Sequence, residues 1–191
     1  MPLILSTDRL VLRPLEMADQ DLVTALLTDE RVMRYIRPPF TAEEVAGFMK
    51  ELVKRGAKGA IGVWCVVEKA TGERIGNCAL MPMPTDQSVP DFSQIKPDRL
   101  PDIPVEVGYE LLPAAWGRGY ATEIAKCLVN CAFQHTELAE LVACIDDPNE
   151  ASRRVLKKAG LTETGPIMAY GAMGPGFRIT RAEWEAGRRS K

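Results

Sequence analysis

A chain of 191 residues, 46% apolar and 26% charged, has the composition of an ordinary globular protein and enough length to bury a sizeable core. Its formal net charge of −2 argues against a general nucleic-acid binder, which carries a basic excess, and leaves room only for a local cationic site. No apolar stretch reaches the roughly 18 residues that cross a bilayer, and MPLILSTDRL lacks the basic region and long apolar core of a signal peptide, so a cytoplasmic protein without a membrane partner is expected.

The first strand falls in DRLVLRPL, where Leu10 and Leu12 alternate with Arg9 and Arg13. MADQDLVTALLTDE offers Asp19 as a cap ahead of Leu22, Val23 and Leu26 at helical spacing. TAEEVAGFMKELVKRG opens with a T-x-x-E capping box, Thr41 to Glu44, and aligns Val45, Phe48, Met49, Leu52 and Val53 on one face. IGVWCVVEKATGERIGNCALM reads as a hairpin turning at Ala70 to Glu73, with Trp64 as a core residue. Pro82 to Pro104 then holds six prolines and four aspartates with no regular period, an insert that predicts either a substrate-side flap or a disordered surface loop.

Order returns at Val105. VEVGYELL is a strand, a glycine turn follows, and Ile124, Leu128, Cys131 and Ala132 share one face of the next helix. LVACI is a short buried strand, and DPNEASRRVLKKAG a helix with Asn149 as N-cap, Ala151, Val155, Leu156 and Ala159 inward and Gly160 as its stop. The tail, LTETGPIMAYGAMGPGFRITRAEW, predicts two short strands ending near Trp184. Five cysteines without a C-x-x-C pair, and a lone His135, read as buried thiols with no metal site. The fold class is mixed α/β (α+β), one sheet with about four helices in a single domain over residues 1–191.

The stretch that carries chemistry is AAWGRGYATE, between a strand and a helix. A P-loop needs Lys-Ser/Thr after its last glycine and is absent; a dinucleotide fingerprint needs Gly or Ala at position 122, which is Thr122. What remains is Trp116, Gly117, Arg118, Gly119, Tyr120 and Ala121 opening a helix. Its backbone N–H groups, the helix dipole and Arg118 suit a pyrophosphate; the alternative is a tight turn without a ligand.

AWGRGYATE resembles the coenzyme A pyrophosphate loop of the GCN5-related N-acetyltransferases, Arg/Gln-x-x-Gly-x-Gly/Ala, with Gly119 and Ala121 at its small positions. Trp116 stands in the Arg/Gln slot, a departure similar to the branch containing the ribosomal-protein N-terminal acetyltransferases. The resemblance extends to TDRLVLRPLEMAD, the hairpin TGERIGNCAL, NEAS before KKAGL, and ITRAEW, nearly the whole chain apart from the proline-rich insert.

The resemblance implies a mostly antiparallel sheet with a splayed strand pair that receives acetyl-CoA as cosubstrate. Residues Trp116 to Thr122 would then hold the pyrophosphate, Leu111 and Leu112 would pair with the pantetheine, and Asn149 would contact the same arm. Ser152 matches the family serine near the thioester sulfur, although both it and Asn149 also suit helix capping. Glu106, at the start of the strand before the loop, is the candidate base, and Glu110, of the same parity, the reserve. The acceptor implied is an amine, either a protein N-terminus or a small molecule, and the four insert aspartates would suit a cationic one. A non-catalytic coenzyme A binding domain is the alternative function, and a homodimer is left open.

Overall fold

Leu10 and Leu12, fully buried at alternate positions, set the first ladder of the sheet. The computed structural model describes residues 3–189, so the outer ends of the expected domain lie outside the described residues. β1 (Leu5–Ser6) and β2 (Leu10–Pro14) lead into α1 (Gln20–Leu27), α2 (Glu30–Met33) and α3 (Ala42–Leu52). After β3 (Arg55–Gly56) come the hairpin β4 (Ile61–Glu68) and β5 (Arg74–Pro82), then β6 (Val105–Leu111) and α4 (Tyr120–His135). β7 (Glu140–Cys144), α5 (Glu150–Lys158), β8 (Thr162–Ala169), β9 (Ala172–Thr180) and α6 (Arg181–Arg189) complete the order.

The strands form one sheet in the order β1-β2-β4-β5-β6-β7-β9-β8, with β3 on β4. Every pairing is antiparallel except β6 with β7, joined at the single pair Glu106 and Val142. β6 stays on β5 from Leu111 opposite Gly76 to Val105 opposite Pro82, while β7 follows β9. The two central strands therefore fork. This is the mixed, mostly antiparallel sheet with flanking helices that the sequence leads one to expect.

Local signals hold in most elements. Thr41 and Glu44 close their capping box, and Trp64 is fully buried with its indole N–H donating to the Leu3 carbonyl at 3.0 Å. Asp19 is the N-cap residue of α1 by position, but its side chain bonds backward: it takes the Arg13 guanidinium at 2.6 and 2.7 Å and the Glu16 N–H at 2.9 Å, closing a capping box on the 3-10 turn Met17–Asp19. In α5, Leu156 and Ala159 are buried, but Ala151 is exposed.

Two segments need correction. The insert is packed, not a disordered loop: Phe92 and Ile95 are buried, and Phe92 meets the Phe48 ring edge-on with centroids 5.0 Å apart. Its backbone is also tied in, through Met83 N–H to the Pro104 carbonyl and Ala57 N–H to the Lys96 carbonyl, both at 2.9 Å. The tail adds α6 beyond the two strands. Thr180 and Glu183 close a capping box at its start, and Trp184 packs on Phe133 while its N–H reaches Asn130 at 2.8 Å.

The five cysteines are free, and burial pushes the Cys65 thiol up to about 11 and Cys131 up to about 12. Among the described residues no group of three or more His, Cys, Asp or Glu could hold a metal ion, and no helix is long and apolar enough to cross a membrane.

Candidate active site at the strand fork

An antiparallel partner uses the backbone of every second residue, so the β5–β6 register decides which peptide groups of β6 face the fork. Leu112 N–H donates to the Ile75 carbonyl at 2.9 Å, which makes 106, 108 and 110 the residues bonded to β5. Tyr109 and Leu111 consequently turn their peptide groups toward the opening. Leu112 does not: its N–H is in the ladder and its carbonyl accepts from Ala115 N–H at 2.8 Å. Of the two leucines expected to pair with an extended ligand, the structure turns Leu111 toward the fork, and Tyr109 joins it.

Glu106 stands at the root of the fork, on the one residue pair that joins β6 to β7. It is half-buried, and burial pushes its carboxyl up to about 7, opposed by the Tyr170 hydroxyl, which donates to it, and helped by the charge of Glu110. Burial likewise pushes Glu110 up to about 7. Both carboxyls share one face of β6. Tyr109 projects from the other face with its hydroxyl buried and, among the described residues, without a well-formed hydrogen bond; the nearby polar side chain is Ser152.

Asn149 caps α5, its Oδ1 accepting from Ser152 N–H at 3.1 Å, so the capping expected of Asn149 is observed. The four insert aspartates do not act as one group: the Asp86 backbone lies against Gly171 of the β8–β9 turn. Asp91 caps its own turn at Ser93, and Asp102 pairs with Arg99.

The glycine loop is built as a nest at the head of α4. Gly117 and Gly119 adopt φ of 73° and 81°, a left-handed conformation that side chains with a Cβ disfavour, and Gly119 is the N-cap. The N–H groups of Tyr120, Ala121 and Thr122 in the first turn lack intrahelical acceptors and carry the positive end of the dipole. Trp116 fastens the loop to β6 by donating its indole N–H to the Leu111 carbonyl at 2.7 Å.

Arg118 and Tyr120 do less at the mouth of the nest than their types suggest. Tyr120 is 2% exposed with its hydroxyl on Glu68, and the Arg118 guanidinium lies 2.6 Å from the same carboxylate, so the loop offers mainly backbone N–H groups. Glu68 is buried at the end of β4 and also accepts from Thr71 at 3.0 Å. Arg9 adds a second anchor, with Glu123 at 2.8 Å and the Arg118 carbonyl at 2.9 Å. Sequence reasoning passes over Glu68, Arg9, Tyr109 and Tyr170. Parity alone would have set Tyr109 on the face opposite Glu106; the other three are brought in by contacts remote in sequence.

The model of the acetyltransferase (GNAT) domain matches residues 9–162. The chain belongs to the GNAT acetyltransferases. It is 32% identical, over 94% of its own length and 77% of the relative's, to the FsC-acetyl coenzyme A-N(2)-transacetylase of Aspergillus fumigatus. A GNAT-family acetyltransferase from Bacillus anthracis shares the fold with a TM-score of 0.72 at 21% identity, over 94% of this chain and 99% of that one. The aminoglycoside acetyltransferase AAC(6')-Ib, solved in complex with coenzyme A, superposes with a TM-score of 0.70 at 17% identity, over 94% and 99%. The protein is thus an acyltransferase of GNAT type that uses acetyl-CoA.

In this GNAT enzyme the Glu68 cluster ties the glycine loop to the β4–β5 hairpin. Tyr120, Thr71 and Arg118 hold the Glu68 carboxyl below the usual carboxylate range. A depressed carboxyl contributes stability above its unfolded value and loses it as pH falls through the folded one. Glu68→Gln is therefore expected to lower Tm at pH 7, with the gap to wild type closing in acid. Calorimetric melting across pH would show this; a pH-independent gap would mean the charge is not what stabilises the loop.

Proposed function

We propose that the enzyme moves the acetyl group directly to a primary amine of a small molecule within a ternary complex. The observation that carries this reading is the place of Glu106: a half-buried carboxyl on the one residue pair at the root of the fork, which burial pushes up to about 7. Acetyl-CoA supplies an acyl group already activated as a thioester, so no enzyme nucleophile is required. In the transfer the neutral amine nitrogen bonds to the acetyl carbon, the C–S bond breaks with its electron pair leaving on the coenzyme A thiolate, and the proton lost by the nitrogen passes to ionised Glu106 directly or through one water. A base near neutrality suits an α-amine, whose own pKa is about 8, better than a lysine at about 10.4.

The remaining residues bind and orient. The N–H groups of Gly117 to Thr122 would receive the pyrophosphate, and the fork-facing Tyr109 peptide and Leu111 N–H, the Leu111 carbonyl being held by Trp116, would pair with the pantetheine. Asn149 would shape that channel from α5, and Ser152 would donate a hydrogen bond on the sulfur side. The small-molecule acceptor rests on the Aspergillus relative, whose name describes transfer to an N(2) nitrogen. Trp116 in the loop keeps a protein N-terminus as the second acceptor class. Free cysteines with raised thiols suit the reducing cytoplasm as the place of work.

A thiol-release assay with acetyl-CoA against a panel of small primary amines and N-terminal peptides tests the proposal. Turnover confined to small amines supports it, turnover confined to peptides moves the acceptor to protein N-termini, and release with neither overturns the acceptor reading.

A further inference from the structure

The β8–β9 turn places an aromatic residue where a two-residue hairpin favours asparagine or glycine. β8 and β9 part at Ala169 opposite Ala172, leaving Tyr170 and Gly171 as the turn, with φ of 54° and 78°. Both values are left-handed, as the tight hairpin requires, and Tyr rarely adopts them. Outside contacts hold it there. Tyr170 N–H donates to the Pro84 carbonyl at 3.0 Å and Gly171 N–H to the Thr85 carbonyl at 2.8 Å, so the first residues after β5 grip the turn. Met83, Val142 and Ala169 form a small buried cluster against which the Tyr170 ring packs. The ring is thereby carried to Glu106, and its hydroxyl donates to Oε1 of that carboxylate.

We propose that Tyr170 is a positioning residue for acetyl transfer: its hydroxyl fixes one oxygen of Glu106 and leaves Oε2 to receive the proton of the acceptor amine. The inference rests on Glu106 as the base. It also gives the start of the proline-rich insert a task, which is to hold the turn that carries Tyr170, independent of the charge of its aspartates.

Among the described residues, the titratable groups that act on Glu106 are Tyr170 from the turn, Glu110 from β6 and Cys144 from β7, none of them cationic. Burial and Glu110 raise the carboxyl, and the Tyr170 hydrogen bond opposes them. Without that hydroxyl the charged form loses its donor and the carboxyl titrates higher. A hydrogen bond to a charged group corresponds to about one pH unit, which would reduce the ionised fraction at pH 7 about five-fold.

The test is the titration of Glu106 by 13C NMR in full-length protein labelled at the glutamate carboxyl carbons, in wild type and Tyr170→Phe, with Glu106→Gln assigning the signal. A cooperative melt by circular dichroism establishes that each variant is folded. The expected result is a midpoint near neutrality in wild type and about one unit higher in Tyr170→Phe. A midpoint that stays in place or falls would overturn the positioning role. Thiol release by Glu106→Gln in the acceptor screen separates the two ideas: undiminished turnover there would sink Glu106 as base, whatever Tyr170 does to its titration.

Discussion

Glu106→Gln is expected to lower kcat/KM for an accepted amine by about 10²- to 10⁴-fold, the contribution typical of a positioned general base. Glutamine keeps the shape and a hydrogen-bond acceptor for Tyr170 but has no proton affinity to offer. The wild-type carboxyl, raised to about 7 by burial, is half ionised near neutrality and passes to its charged form as pH rises, so activity should climb through that pH and the climb should disappear in the variant. The same substitution has an opposite effect on stability. Between the unfolded value of about 4.3 and the folded value the native state holds a proton that the unfolded chain has released, so the ionisable residue destabilises the fold as pH rises through that window. The variant should therefore melt above wild type at pH 8, with the difference shrinking toward pH 5. Steady-state kinetics and melting at both pH values check the pair of effects together. Undiminished kcat/KM would transfer the role to Glu110 or to water.

What the sequence discloses is mostly what lies close together along the chain. The β4–β5 hairpin, the α3 capping box and the buried stripe of α4 depend on residues a few positions apart, and they stand where periodicity puts them. α6 is legible too, because Thr180-Arg181-Ala182-Glu183 is a capping box formed by residues three apart, directly after the strand-like run of β9. The packed insert is not. Phe92 and Ile95 have no period, and only their burial against Phe48 and Gly56 from remote parts of the chain shows that they are core. The fork is invisible locally, because one residue pair between parallel strands leaves no pattern in either. The same reason hides Tyr170 on Glu106 and Arg118 on Glu68, contacts made across 64 and 50 positions.

The Gly119→Glu substitution should abolish the stabilisation that acetyl-CoA gives to the wild-type protein. Ligand at about 100 times its dissociation constant stabilises the native state by about 2.7 kcal/mol, which for a chain of this size raises Tm by roughly 5–11 °C. Folding of the variant is a fair expectation. A Cβ at Gly119 meets nothing nearer than the Arg9 guanidinium at 3.6 Å, and the φ of 81° costs a non-glycine residue about 1 kcal/mol. A carboxylate at a helix N-terminus partly offsets that strain, since the first-turn N–H groups and the dipole attract it as they would a phosphate. That attraction is the reason binding fails: the new side chain places a negative charge where the pyrophosphate would lie. Gly119→Ala carries the same backbone strain without the charge, so it separates geometry from electrostatics. A full shift in the alanine variant and none in the glutamate one would mark the N–H nest as the anion site. An intact shift in both would send the pyrophosphate elsewhere on the surface and leave Gly119 as the hinge of a strand-to-helix turn.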